Sequence, residues 1–284
     1  MEYPIVSLVL ISYNQEDYIR DALAGALSQD YQNLEIVVSD DCSKDKTFKI
    51  IQDVLSGYIG PHRITYSRNP VNLGIAAHIN KVNSLASGEL IVIAAGDDIS
   101  LPNRIKKIAD AYLACNRTVH YFYSSAIEID LDGVDRGILT SPGASNAGNR
   151  LRAGLSGYPV AIGATQAWSR LLVSSFGPLG KKVWAEDQIL GFRGVLLGKV
   201  VYIDEPLVRY RIGSGISTQN IKFSIRKFFK NRLKTIWILV QRSADAFHIK
   251  EVGLSGIIAS KALLIFVFLP ISPFLSVLRK IVRI

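Results

Sequence analysis

The chain has 284 residues, 49% apolar and 20% charged, which is a globular composition long enough to bury a core. Its net charge of +9 is unevenly placed: residues 209–284 hold 14 of the 33 Lys/Arg and 2 of the 24 Asp/Glu, so residues 1–208 are slightly acidic. A basic, very apolar C-terminal quarter suits an anionic membrane surface and argues against nucleic acid, and two cysteines without a CxxC or Cys/His cluster argue against a disulfide framework or a zinc site.

Residues 1–10 have an acidic residue, a proline and too short an apolar run for a secretory signal, which places the bulk of the chain in the cytoplasm. Residues 6–11 form a continuous apolar run and read as a buried strand, ended by Ser12, Tyr13 and Asn14. A helix follows, with Tyr18, Ile19, Leu23, Ala26 and Leu27 on one face and Asn14 as its expected N-cap. Residues 34–38 are a second strand, ending at Ser39-Asp40-Asp41-Cys42-Ser43. Phe48, Ile51, Val54 and Leu55 mark a helix; residues 64–66 are a third strand and 76–85 a further helix. No GxGxxG follows the first strand and no GxxxxGK[ST] occurs, which argues against a nicotinamide enzyme or a P-loop NTPase.

Residues 90–95 are a short β-branched run that stops at Gly96 and delivers Asp97 and Asp98 to the sheet edge, with Pro102 suited to the next helix's first turn. Adjacent carboxylates repel, and a divalent cation offsets that; hard oxygen ligands suit Mg²⁺ or Mn²⁺, which can also hold a diphosphate. The alternative is an acidic turn whose first Asp only caps the helix. Three strands thus end in ligand-capable polar residues, and in an alternating β/α sheet ligands bind at those carboxyl ends.

Beyond residue 116, residues 119–129 read as a long strand, Asp132-Gly133 as a hairpin turn and 137–140 as the return strand. Residues 142–149 read as a mobile loop near the site, and 163–176 as a helix. Glu186 and Asp187 open a helix that runs to Leu197, where simple N-terminal capping is the alternative to chemistry. Residues 200–203 and 206–210 are extended. In residues 221–240 the apolar side chains Ile221, Ile225, Phe228, Phe229, Leu233, Ile236, Trp237 and Val240 recur at helical spacing opposite lysines and arginines, as in an interfacial helix; a helix packed on the catalytic domain with a solvated face is the alternative. Residues 262–278 are uncharged but broken by Pro270 and Pro273, so an in-plane or re-entrant segment competes with a span.

The ordered blocks VSLVLISYNQEDYIRDALAGALSQDY, LEIVVSDDCSKDKT, NPVNLGIAAHIN, SGELIVIAAGDDISLPNRI, AEDQIL and EPLVRYR closely resemble the family 2 glycosyltransferases, of the bacterial cell-surface polysaccharide type. The resemblance implies a GT-A fold: α/β, a mostly parallel sheet with helices on both faces, here a catalytic domain over residues 1–218 with a helical membrane-associating tail over 219–284. It implies a nucleoside diphosphate sugar donor (UDP-, GDP- or dTDP-linked) and inverting transfer to a hydroxyl of a glycan or lipid-linked acceptor. Tyr13 would lie against the base, with Ile11, Ser12 and Asn14 lining the same pocket. Asp41 would bond the base, helped by Asp40; Asp97 would face the ribose, Asp98 the metal, and Arg104 would join the donor-binding set. Asp187, beside Glu186, would be the general base. The enzyme would then sit at the cytoplasmic face of the cell membrane as a peripheral or monotopic protein. A polyprenyl-phosphate sugar synthase, or a nucleotide-sugar-binding protein without turnover, are the alternative readings. Cys42 stands where the family usually has glycine, and the processive QxxRW signature is absent, which favours single sugar additions.

Overall fold

The computed structural model describes residues 2–140, 149–156, 161–198, 200–213 and 225–267. Strands β1 (Val6–Ser12), β2 (Leu34–Asp40), β3 (Arg63–Arg68) and β4 (Leu90–Ala95) lie in the order β3-β2-β1-β4, all parallel. Burial on both faces explains their continuous apolar runs; β3, at the edge, is the exposed exception. Alternate residues of β1 feed two cores. Leu8 and Leu10 pack with α1 (Ile19–Leu27), α2 (Thr47–Ser56) and α4 (Arg104–Ala114); Val9 packs with α3 (Ile75–Leu85) and α7 (Glu186–Leu196).

The parallel pattern holds for this half alone. β8 (Ala167–Ser169) is an antiparallel splice between β4 and β6 (Tyr121–Ile129), which pairs in parallel with β9 (Val201–Arg211). The expected Asp132-Gly133 hairpin joins β6 to β7 (Asp135–Leu139), with Gly133 at φ +82°. Pro206 lies where the β6–β9 register slips, a place where its missing N–H costs no ladder bond. β5 (Ile99–Ser100) follows β4 in the chain yet pairs with β9, at the far end of the strand order. The sheet therefore curls, and the segment carrying Asp97 and Asp98 closes onto β9.

Two expectations are corrected. Residues 163–176 are not one helix: a 3-10 turn (Gly163–Thr165) and β8 precede α6 (Arg170–Phe176). Trp168 is fully buried and donates to Asn83 Oδ1 at 3.1 Å, so insertion between β4 and β6 overrides the helical spacing. Asn14 does not cap α1, because its left-handed backbone (φ 52°) turns it towards Lys44, whose N–H its side chain accepts at 2.8 Å.

Helix α5 (Arg150–Leu155) leads to the C-terminal hairpin of α8 (Ile225–His248) and α9 (Val252–Val267), which packs on α5 and α7. Among the described residues no helix is long and apolar enough to cross a membrane. The loop expected at 142–149 falls outside the described residues except for Asn149, which caps α5. The segment expected at 262–278 lies outside them beyond Val267.

Candidate active site

The ends of β1, β2 and β4 form one polar edge. Ser12 pairs with Asp40 and Ile11 with Ala95. Buried Asp40 accepts from Ser12 Oγ at 3.3 Å, from Ser43 N at 2.9 Å and from the Ser43 hydroxyl, with Arg68 Nε at 3.4 Å. Buried Asp41 accepts from Asn69 Nδ2 (2.7 Å), Leu73 N (2.9 Å) and Gly74 N (3.0 Å), which folds the 69–74 loop back to the sheet edge. These two carboxylates hold the loops that would surround a base. Tyr13 is half-buried beside them, and exposed Asn14 donates its N–H to Ser43 Oγ at 2.9 Å. A Cβ on Gly96 would stand 2.5 Å from Gln15 Oε1 and 3.0 Å from Ser12 Cβ, so a larger residue would push Gln15 aside and crowd the end of β1.

Asp97 and Asp98 come next. Helix α4 begins at Arg104, with Asn103 in the cap position, which removes the reading of the acidic pair as a helix cap. Asp98 is buried and accepts the Arg211 N–H at 2.8 Å; Arg211 Nε donates to the Asp97 carbonyl at 3.0 Å. Burial, and next the charge of half-buried Asp97, push the Asp98 carboxyl well above the usual carboxylate range. A cation at this pair would reverse that penalty. Among the described residues no group of three or more His, Cys, Asp or Glu forms a closed metal cage. The residues fit Mg²⁺ or Mn²⁺ held by one or two carboxylates and completed by substrate phosphates and water.

Arg104 departs from its expected place in the donor-binding set. It is buried, and it donates to Ser100 Oγ (2.9 Å), Ile93 O (2.7 Å) and Ala164 O (2.8 Å). It is a strut tying β4, β5 and the 163–165 turn together below the acidic pair, and burial lowers its pKa to about 9.

Glu186 and Asp187 occupy the first turn of α7, against the 163–165 turn: a Cβ on Gly163 would lie 3.5 Å from Glu186 Oε1. Gln166 donates to Glu186 Oε1 at 3.5 Å and accepts from the Tyr121 hydroxyl at 2.9 Å. Both carboxyls are partly accessible, yet burial, then the charge of Asp187, raises Glu186 to about 8. Burial raises Asp187 to about 6, opposed by the Gln188 N–H and the Arg242 charge. Burial thus holds the proton on this pair of carboxyls to a higher pH than on ordinary carboxylates. Half-buried Tyr210 ties the two acidic sites together: burial raises its phenol, and Asp98, Asp97 and Asp187 each add to the shift. Nothing in the sequence singles out Tyr210 or Gln166, and Arg211 reads there as a residue able to meet phosphate rather than as the partner of Asp97 and Asp98. Tyr210 and Arg211 lie inside the EPLVRYR block, and only their register on β9 shows what they meet.

The Glycosyl transferase family 2 profile matches residues 7–133. EpsE of Bacillus subtilis, named as a candidate glycosyltransferase, is 32% identical over 145 residues, 51% of this chain and 51% of EpsE. The chain thus spans about half the length of that relative. In three dimensions it is similar to Staphylococcus aureus TarS 1–349, solved with UDP-GlcNAc, at TM-score 0.64, 19% identity and coverage of 91% of this chain and 71% of that one. It is also similar to the mannosyltransferase PcManGT of Pyrobaculum calidifontis, solved with GDP-Man and Mn²⁺, at TM-score 0.60, 15% identity and coverage of 100% and 82%. The blocks from Ser7 to Gly133, the strand order and the shared fold agree: residues 7–133 match the Glycosyl transferase family 2 profile, and the chain has the GT-A fold.

Proposed function

We propose that the protein is an inverting glycosyltransferase that moves a sugar from a nucleoside diphosphate sugar to a hydroxyl of a lipid-linked or cell-surface glycan. The observation that carries this reading is one sheet edge where Asp40 and Asp41 hold the loops beside the end of β4 with buried Asp98, joined through Arg104 and Ala164 O to the 163–165 turn that packs on Glu186 and Asp187. The donors bound by TarS and PcManGT support the choice of donor class. Tyr13 would lie against the base at the edge formed by Ile11, Ser12 and Asn14. Asp98, with Asp97, would hold Mg²⁺ or Mn²⁺, which when bound supplies Lewis-acid neutralisation of a leaving diphosphate.

Asp187 is the group placed to take the acceptor hydroxyl's proton, since its carboxyl is ionised near neutral pH and partly open. The acceptor oxygen then bonds to the anomeric carbon as the bond to the diphosphate breaks, with the electron pair leaving on the diphosphate. One base opposite the leaving group yields inversion.

The same proposal places the enzyme on the anionic, cytoplasmic face of the membrane. α8 turns Ile238, Leu239 and Ala246 into the domain and leaves Leu233, Trp237, Val240 and Phe247 exposed. Lys182 sits 3.9 Å from the Trp237 ring centroid and Lys234 4.5 Å from that of Trp184, two residues before Glu186. Tryptophan with lysine is the pairing favoured at the headgroup level. A thermal-shift screen of UDP-, GDP- and dTDP-sugars with and without Mn²⁺ tests the donor site. One nucleotide class should stabilise the protein with metal and lose that effect in Asp98→Ala; equal stabilisation without metal counts against the assignment.

A further inference from the structure

Helix α8 is joined to α7 by two buried arginines that point in opposite directions. Arg193 of α7 makes a two-pronged pair with Asp245 of α8, Nε to Oδ2 at 2.9 Å and Nη2 to Oδ1 at 3.1 Å. Arg242 of α8 reaches the other way and makes no such pair. Its Nε and Nη2 donate to the Gln188 carbonyl (3.2 and 2.9 Å), and its Nη1 donates to the Gly154 and Ser156 carbonyls (3.2 and 2.7 Å). The side chain is 1% exposed and its guanidinium lies over the Phe192 ring at 5.6 Å. Gln188 follows Asp187 directly, so this fork grips the turn that carries the base and the C-terminal end of α5 together.

We propose that Arg242 is a positioning residue for Asp187: it fixes the first turn of α7 against α5 and places a buried positive charge behind the carboxylate. The proposal rests on the reading of Asp187 as the base. The groups facing Asp187 are Glu186 on its own helix, Tyr121 from β6, Tyr210 from β9 and Arg242 from α8. Burial resists its ionisation, while the guanidinium favours it. Planar geometry matters as much as charge, because one lysine cannot reach three carbonyls in two elements. The C-terminal helix, outside the family match at residues 7–133, is thereby part of the catalytic apparatus.

The test uses the full chain with ¹³C-labelled aspartate. The Asp187 carboxyl is titrated by infrared difference spectroscopy, with Asp187→Asn as the subtraction. Arg242→Met should move the midpoint up from about 6 by about one unit. Arg242→Lys should keep it near wild type. Arg193→Lys is the control for helix packing: it should lower the melting temperature and leave the midpoint alone. An unshifted midpoint in folded Arg242→Met, or an equal shift in Arg193→Lys, would overturn the proposal. Release of UDP from UDP-GlcNAc or GDP from GDP-mannose with Mn²⁺ adds a second readout, which also serves if Arg242→Met does not fold. In the lysine variant kcat should fall about tenfold with the donor KM unchanged, and an unchanged kcat would overturn the geometric half. Turnover that survives Asp187→Asn would sink the base reading instead, while the titration still reports what Arg242 does to that carboxyl.

Discussion

Glu186 and Asp187 couple chemistry to pH in opposite senses. Asp187 works as an anion, so kcat/KM should climb as pH rises through about 6, and Asp187→Asn should cut kcat by about 10²-fold or more while leaving donor binding intact. A pH profile with no acid limb would count against it. Stability runs the other way. Both folded values lie above the ordinary carboxylate range, so folding takes up protons; the contribution is complete at about pH 4 and is lost as pH rises towards about 8. Glu186→Gln carries no charge to bury. It should raise the melting temperature at pH 8 by a few degrees, and the gain should shrink towards pH 5 in calorimetric scans. The identity of these two carboxylates was legible in the AEDQIL block. Their raised values were not, because burial and the Gln166 and Arg242 partners arrive from other parts of the chain.

Elements that bury one continuous face were readable; those defined by insertion were not. β1, β2 and β4 announce themselves because apolar residues fill both faces. β8 has three residues, too few for any period, and exists because Trp168 fills the space between β4 and β6. The contact between α1 and β5 shows the same dependence on partners. A Cβ on Gly25 would stand 2.8 Å from Ser100 O and 2.9 Å from Ser100 N. Alanine is the better helix former, yet Gly25→Ala should destabilise the fold by about 1–3 kcal/mol in denaturant titration, because backbone cannot yield as a side chain can. It should also disturb donor binding, since β5 follows Asp98 directly. On the other side, Asp245→Asn leaves Arg193 buried with its partner's charge gone. A loss of about 3–5 kcal/mol is expected, far above that of an exposed pair such as Lys49–Asp53.

At the scale of the whole molecule, the curl of the sheet brings residues 97–98 and 187 to one place, and no local pattern encodes a curl. The chain-order reading placed three polar strand ends at one edge, which the register of β1 with β2 and β4 bears out. Residues 221–240 read as one amphipathic stripe. α8 instead has two apolar faces: one completes the core through Ile238 and Leu239, and the other stays outside with the exposed residues of α9. Between the two helices lies a groove of about 500 Å³ lined by Val240, Phe247, Leu263 and Phe266. Deleting the tail is therefore a poor membrane test, since it would also remove Arg242 and Asp245 from the interior. Outward substitutions separate the roles. Trp237→Ser with Leu233→Ser and Val240→Ser removes exposed apolar area without touching the buried face. Folding, judged by melting temperature, should be nearly unchanged, and flotation with vesicles containing anionic phosphatidylglycerol should drop severalfold. Binding of the wild type should fall as salt rises, because lysines such as Lys182 and Lys234 supply the long-range attraction. Equal flotation of wild type and triple variant, or equal affinity for neutral phosphatidylcholine vesicles, would move the outer face of α8 from lipid to a protein partner.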